Sequence, residues 1–118
     1  MKRQLEISQS EAAPGVQLIK LSGWLILGVE SAQLETLALN LFAAGTRKII
    51  IDLADVTHID STGIGRCIAC LNKAMQINGQ LHMSGAKGQV RDSFRVTRLD
   101  RMFKFFDTLD QAKGSFKE

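Results

Sequence analysis

Leu5-Glu6-Ile7-Ser8 alternates apolar with polar residues, the period of a strand with one wet face. Ala12-Ala13-Pro14-Gly15 breaks the pattern as a turn, and Val16 to Ser22 returns as the second arm of a hairpin, ended by Gly23. From Ser31 the period lengthens. Leu34, Leu37, Ala38 and Leu41 fall on one helical face, and Gly45 supplies its C-terminal cap. Lys48 to Leu53 is then apolar without alternation, as in a strand covered on both faces. Ile64, Cys67, Ile68, Leu71, Ala74 and Met75 line one side of a second helix, stopped at Gly79. Gln80 to Ser84 predicts a fourth strand and Val90, Phe94 and Leu99 a third helix. Met102 to Phe106 predicts a short last strand, and Thr108 to Phe116 a terminal helix.

The order β-β-α-β-α-β-α-β-α places helices between successive strands, which calls for right-handed crossovers and a partly parallel sheet. The fold class is α/β, a single layer domain with a four- to five-stranded mixed sheet and about four helices. No linker, repeat or low-complexity tract interrupts the pattern, and 118 residues suffice for one core and not for two. One domain over 1–118 is therefore expected. A net charge of +3 is too mild to indicate nucleic acid, so no direct DNA binding is expected. No run approaches the roughly 18 apolar residues of a membrane span. Polar residues after Met1-Lys2-Arg3 argue against a secretory signal, and a cytoplasmic location follows.

Candidate chemistry concentrates in Asp60-Ser61-Thr62-Gly63-Ile64-Gly65, where a buried strand turns into a helix. The first N–H groups of a helix lack partners, and the helix dipole adds positive charge there. A capping side chain suits that place, and so does a phosphate. In the first reading Asp60, Ser61 or Thr62 caps the helix, while Gly63 and Gly65 permit the tight turn. In the second, Ser61 is a regulatory phosphosite. A dinucleotide loop fails because Ile68 stands where the third glycine belongs. An aspartic-protease loop fails because its chemistry needs a second carboxylate loop, and none is present. No catalytic triad, metal set or P-loop is visible, so neither an enzyme nor a cofactor is expected. Cys67 and Cys70 read as buried structural thiols, not as a redox pair or as zinc ligands with His58 and His82. Lys87, Arg91, Arg95 and Arg98 form one stripe of the third helix, read as a solvated face.

The same Asp60-Ser61-Thr62-Gly63-Ile64-Gly65 resembles the signature of the STAS family, named for sulfate transporters and anti-sigma-factor antagonists. Ile50 to Val56, Gly79-Gln80-Leu81, Leu99 to Phe103 and Phe106 to Ala112 are similar to further segments of that family, so the resemblance covers nearly the whole chain. It implies a stand-alone antagonist in which the serine after the motif's aspartate, Ser61, is the phosphoacceptor. It also implies partner switching. The unphosphorylated domain binds an anti-sigma factor with serine-kinase activity, phosphorylation ejects it, and a serine phosphatase resets the cycle. A second copy of the chain is a further candidate partner. Asp60 would orient the loop, and Thr62, Gly63 and Gly65 would shape the helix start.

One segment departs from the family. The antagonists resemble Gly-x-Leu-Asp after the second strand, whereas this chain has Gly23-Trp24-Leu25-Ile26-Leu27-Gly28-Val29, with Ile26 in the acidic place. Two readings stand: extra core packing, or an exposed apolar patch centred on Trp24 that docks a partner, with Leu25, Ile26, Ile64 and Arg66 as further candidate contacts. Two rival functions stand beside the antagonist. One is a STAS scaffold that binds partners without phosphorylation, and the other is a small nucleotide- or phosphate-binding protein using the helix start at Ser61.

Overall fold

Strand β3 (Lys48–Ile59) organises the fold. It lies third in a five-stranded sheet of order β1-β2-β3-β4-β5, with β1 (Glu6–Ala13), β2 (Val16–Leu25), β4 (Gln80–Ser84) and β5 (Lys104–Phe106). β1 and β2 form an antiparallel hairpin, and every other pair is parallel. The computed structural model describes residues 4–117, so residues 1–3 and 118 of the expected domain lie outside the described residues.

Because each crossover steps to the next strand in the same direction and is right-handed, all crossover helices fall on one face of the sheet. These are α1 (Val29–Ala43), α2 (Ser61–Gln76) and α3 (Gly88–Val96). Their apolar stripes meet Ile19, Leu21, Leu25, Ile49, Ile51, Leu53, Leu81 and Met83 in the main core. The opposite face is covered only near the strand starts. There α4 (Leu109–Lys113) brings Ala112 onto Val16, Leu18 and Ile50, with Phe106 and Phe116 packed alongside. This explains the continuous apolar run in β3: alternate residues serve two different cores.

Several element boundaries differ from the sequence pattern. β3 continues past Leu53 to Ile59, because β2 pairs with it as far as Leu25 despite Gly23. Gly23 sits inside β2 at φ +104°, where a Cβ would strike the Gln4 carbonyl oxygen. At the end of α2 it is Asn78, at φ 57°, that takes the left-handed position, and Gly79 donates to the Ala74 carbonyl at 2.7 Å. Gly45 closes α1 as the pattern indicates, at φ 107° with its N–H on the Phe42 carbonyl. Met75 is exposed, not part of the apolar face of α2. Helix α3 ends at Val96, and Leu99 belongs to a separate 3-10 turn that starts from Arg98 at φ 61°. The basic stripe is thereby broken. Arg91 lies over the Phe105 ring at 4.4 Å and Arg95 pairs with Asp92 at 3.7 Å.

The terminal helix stops at Lys113, and the chain then runs back along β4. Gln80 and Lys117 exchange two hydrogen bonds, at 2.9 and 3.2 Å. Phe116 stacks on His82 at 4.2 Å, and His82 Nδ1 meets the Ser115 hydroxyl at 2.6 Å. Burial, and then the nearby Lys104 charge, push the His82 pKa down from 6.5 to about 4. A lowered pKa means that the unfolded chain binds the proton more readily. Stability is therefore full above about pH 6.5 and falls as the pH drops towards 4, by about 2–3 kcal/mol. Thermal melts across that window should show the loss in the wild type and a smaller one in His82→Phe.

Candidate functional site

Asp60 is the N-cap of α2, in extended backbone conformation with φ −115°. Its Oδ1 accepts from the Gly63 N–H at 2.8 Å, and its Oδ2 accepts from the Leu27 N–H at 3.0 Å. One carboxylate thus caps the helix and ties down the loop between β2 and α1. A negative cap also complements the helix dipole. Asp60→Ala should therefore cost about 2 kcal/mol in denaturant unfolding, whereas Asp60→Asn, which keeps one acceptor oxygen, should cost less.

With Asp60 as the cap, Ser61 is left as the first residue of the helix. It is exposed, and its hydroxyl makes no hydrogen bond among the described residues. The carboxylate of Asp60 already occupies the anion position of the helix start, which leaves little call there for a free phosphate. Thr62 is half-buried.

The two glycines of the motif differ. Gly63 is buried against the end of β2, and a Cβ there would lie 2.1 Å from the Leu25 carbonyl oxygen and 2.9 Å from Ile59 Cγ1. Gly65 is exposed, with nothing within 4 Å of a Cβ.

Near Ser61 the surface carries exposed apolar side chains beside polar ones. Leu27 stands 72% exposed on the loop that Asp60 holds, Val29 at the start of α1 is 71% exposed, and Val96 of α3 is 81% exposed. A groove of about 560 Å³ runs between the start of α2 and α3. Ile59 and Ile64 line it, with Ser61, Asp60 and Asp92 at its polar edge and Val96 beside them.

Of the expected contact residues, Leu25 is corrected outright. Its side chain is fully buried in the main core and offers nothing to a partner. Trp24 points to the other face of the sheet, where it is half-buried and lies against His58 with ring centroids 4.3 Å apart. It is not the centre of an exposed patch. Ile26 is half-buried, and Ile64 lies at the groove with little exposure. Arg66 is engaged within the domain. Its guanidinium approaches Glu35 at 3.4 Å and the Ser31 hydroxyl at 3.4 Å, joining α2 to α1.

Exposed Leu27 and Val29 belong to the Gly23 to Val29 segment that the sequence leaves open between packing and exposure, whereas Val96 is singled out by no sequence pattern. The signal of Val96, an apolar residue at the polar end of a short helix, is faint. Cys67 and Cys70 lie buried on the main-core side of α2, and burial pushes both thiols well up, Cys70 to about 12. The sheet separates them from His82, whose β3 neighbour Ile50 belongs to the opposite core.

A hairpin-led sheet with three crossover helices on one face and an exposed serine opening the second defines a small α/β layer domain. The STAS domain profile matches residues 8–112, and the chain belongs to the STAS domain family. A Thermotoga neapolitana relative, the TM1081 homolog, provisionally named an anti-sigma factor antagonist, is 31% identical over 68 residues, 58% of this chain and 60% of its own length. The chain therefore matches less than two thirds of that relative. The crystal structure of an anti-sigma factor antagonist from Mycobacterium paratuberculosis superposes with a TM-score of 0.82 at 24% identity, over 98% of this chain and 97% of its own. The anti-sigma factor antagonist SpoIIAA of Bacillus matches in its unphosphorylated form with a TM-score of 0.72 over 92% of this chain and 99% of its own, at 16% identity. Its phosphorylated form matches with a TM-score of 0.74 over 92% and 96%, also at 16% identity. At these identities the likeness is one of fold. No helix among the described residues is long and apolar enough to cross a membrane.

Proposed function

We propose that the protein is an anti-sigma-factor antagonist working by partner switching, with Ser61 as phosphoacceptor. The observation that carries the reading is the division of labour at the helix start. Asp60 does the capping, so the Ser61 hydroxyl stands exposed and unengaged among apolar residues. In the unphosphorylated state Leu27, tied to Asp60, and Val96, on the groove that Ser61 lines, give an anti-sigma factor apolar contacts beside the serine. A phosphate on Ser61 puts roughly −1.5 to −2 charges beside those contacts. At the mouth of α2 the dianion is tolerated by the domain itself, because it faces water and the positive end of the helix. Under a docked partner it would be dehydrated next to apolar groups, and the complex would separate. The family membership and the names of the relatives support this reading, as does the fold shared with a protein solved in both phosphorylation states.

The domain contributes no catalysis of its own in this scheme. A serine kinase, carried by the anti-sigma factor, adds the phosphate, and a serine phosphatase removes it, in the cytoplasm. Intact-mass analysis of the protein taken from its native cell, with the modified residue mapped, tests the proposal. A phosphate on Ser61, absent from Ser61→Ala, is the expected result. A protein that is never modified under any growth condition, yet captures the same partners, would leave the scaffold role in its place.

A further inference from the structure

Strand β3 outruns its neighbour. Its last pairing with β4 joins Asp52 to Ser84, yet β3 continues to Ile59. The edge of β3 that faced β4 is therefore left without a strand just where the chain approaches Ser61, and α3 packs against that length instead. At the final residue the missing partner is replaced by a side chain. The Ile59 N–H donates to Gln89 Oε1 at 2.9 Å, and Gln89 Nε2 donates to the Ile59 carbonyl at 3.0 Å. A carboxamide carries one donor and one acceptor in a plane, as a peptide group does, so it can close both open positions at once.

The carboxamide is itself held. Gln89 Nε2 also donates to the Ser93 hydroxyl at 2.8 Å, and that hydroxyl donates to the Gln89 carbonyl one turn back at 2.8 Å. From the other edge, the Asp60 N–H donates to the Leu25 carbonyl at 3.3 Å. The chain at Ile59 and Asp60 is thus gripped from β2 on one side and from α3 on the other, immediately before Ser61.

We propose that Gln89 is a positioning residue for Ser61, its carboxamide standing in for the strand that β3 lacks and setting the angle at which the serine is presented to a kinase. The inference rests on the reading of Ser61 as phosphoacceptor. It also makes α3 and the groove beside it part of the device, because any shift of α3 is passed through one side chain to the serine.

Two variants test it. Gln89→Leu keeps the size and removes both bonds. Gln89→Glu, while ionised, sets a carboxylate oxygen against the Ile59 carbonyl, whose repulsion opens the clamp, and protonation restores one donor there. Asp60 and Asp92 edge the same groove, with Arg95 on Asp92, so pH effects of the glutamate are measured against wild type and Gln89→Leu carrying the same charges. In Gln89→Leu, amide hydrogen exchange should speed up about tenfold at Ile59 and measurably at Gly63, with Ile50 unchanged. In Gln89→Glu the same amides should regain protection as the pH falls, which neither comparison protein should show. In the native cell, the fraction of Ser61 phosphorylated should drop by about threefold or more in both variants. Unchanged phosphorylation in a folded variant that has lost protection at Ile59 would overturn the proposal. So would a Gly63 amide indifferent to both changes. Should Gln89→Leu not fold, the pH series of Gln89→Glu carries the exchange test within one protein. A wild-type Ser61 that is never phosphorylated would instead remove the phosphoacceptor reading, and with it the positioning role, while the exchange results would still report whether the clamp exists.

Discussion

Ser61→Asp should weaken capture of the proposed anti-sigma-factor partner by about 100-fold while leaving the stability of the domain nearly unchanged. The two halves of this expectation differ for one reason. At the first position of α2 a carboxylate faces water and the positive end of the helix dipole, a favourable placement of about 0.3–1 kcal/mol from which repulsion by the neighbouring Asp60 carboxylate subtracts in part. In the proposed complex the same group would be covered beside Leu27 and Val96, which offer no hydrogen bonds from their side chains. An enclosed charge without a partner costs about 3 kcal/mol, which corresponds to about 100-fold in affinity. Ser61→Ala should bind at least as well as the wild type, since the hydroxyl has no partner to lose. Titration calorimetry with the purified anti-sigma factor, alongside a thermal melt of each variant, reads both halves. Wild-type affinity in Ser61→Asp would end the switching account and favour the scaffold.

Gly63→Ala and Gly65→Ala, two residues apart in one motif, should shift stability in opposite directions. The added methyl at Gly63 would lie 2.1 Å from the Leu25 carbonyl oxygen, backbone that cannot swing aside, and 2.9 Å from Ile59. The start of α2 would have to lift from β2, straining the bonds of Asp60 to Gly63 and Leu27. A loss of about 3–4 kcal/mol is expected, a large share of the stability of a domain this size. At Gly65 nothing lies within 4 Å and the residue is helical. Alanine there should add about 0.5–1 kcal/mol, by reducing the freedom of the unfolded chain. Denaturant unfolding of the two variants gives the comparison directly. A Gly63→Ala protein as stable as the wild type would show that α2 is not seated on the end of β2.

Much of the site was legible in the chain. A carboxylate and a hydroxyl before a helical period mark a helix start, because only a few side chains satisfy its open N–H groups. The pattern left open which of Asp60, Ser61 and Thr62 does so. That choice depends on Leu27, 33 residues away, whose N–H engages the second oxygen of Asp60 and so makes aspartate the better cap. The segment from Trp24 to Val29 stayed open between packing and exposure for a related reason. An apolar run of that kind has two directions in which to point, and the pairing of β2 with β3 sends Leu25 inward and Trp24 to the far face. Exposure therefore fell to Leu27 and Val29, just past the strand. Gln89 carried no signal at all, since a glutamine in the first turn of a helix is ordinarily a surface residue.

The sequence by itself determined the order of elements, the α/β class, the buried cysteines and the motif at the start of α2, because these follow from local periodicity and from the conformational limits of glycine, proline and capping side chains. Only the tertiary structure decided which groups around Ser61 are exposed and which are engaged. That outcome rests on strands ending at different lengths: β2 reaches the end of β3 and β4 does not, so one edge is closed by backbone and the other by the side chain of Gln89. Such pairings join residues far apart in the chain, and no local pattern encodes them.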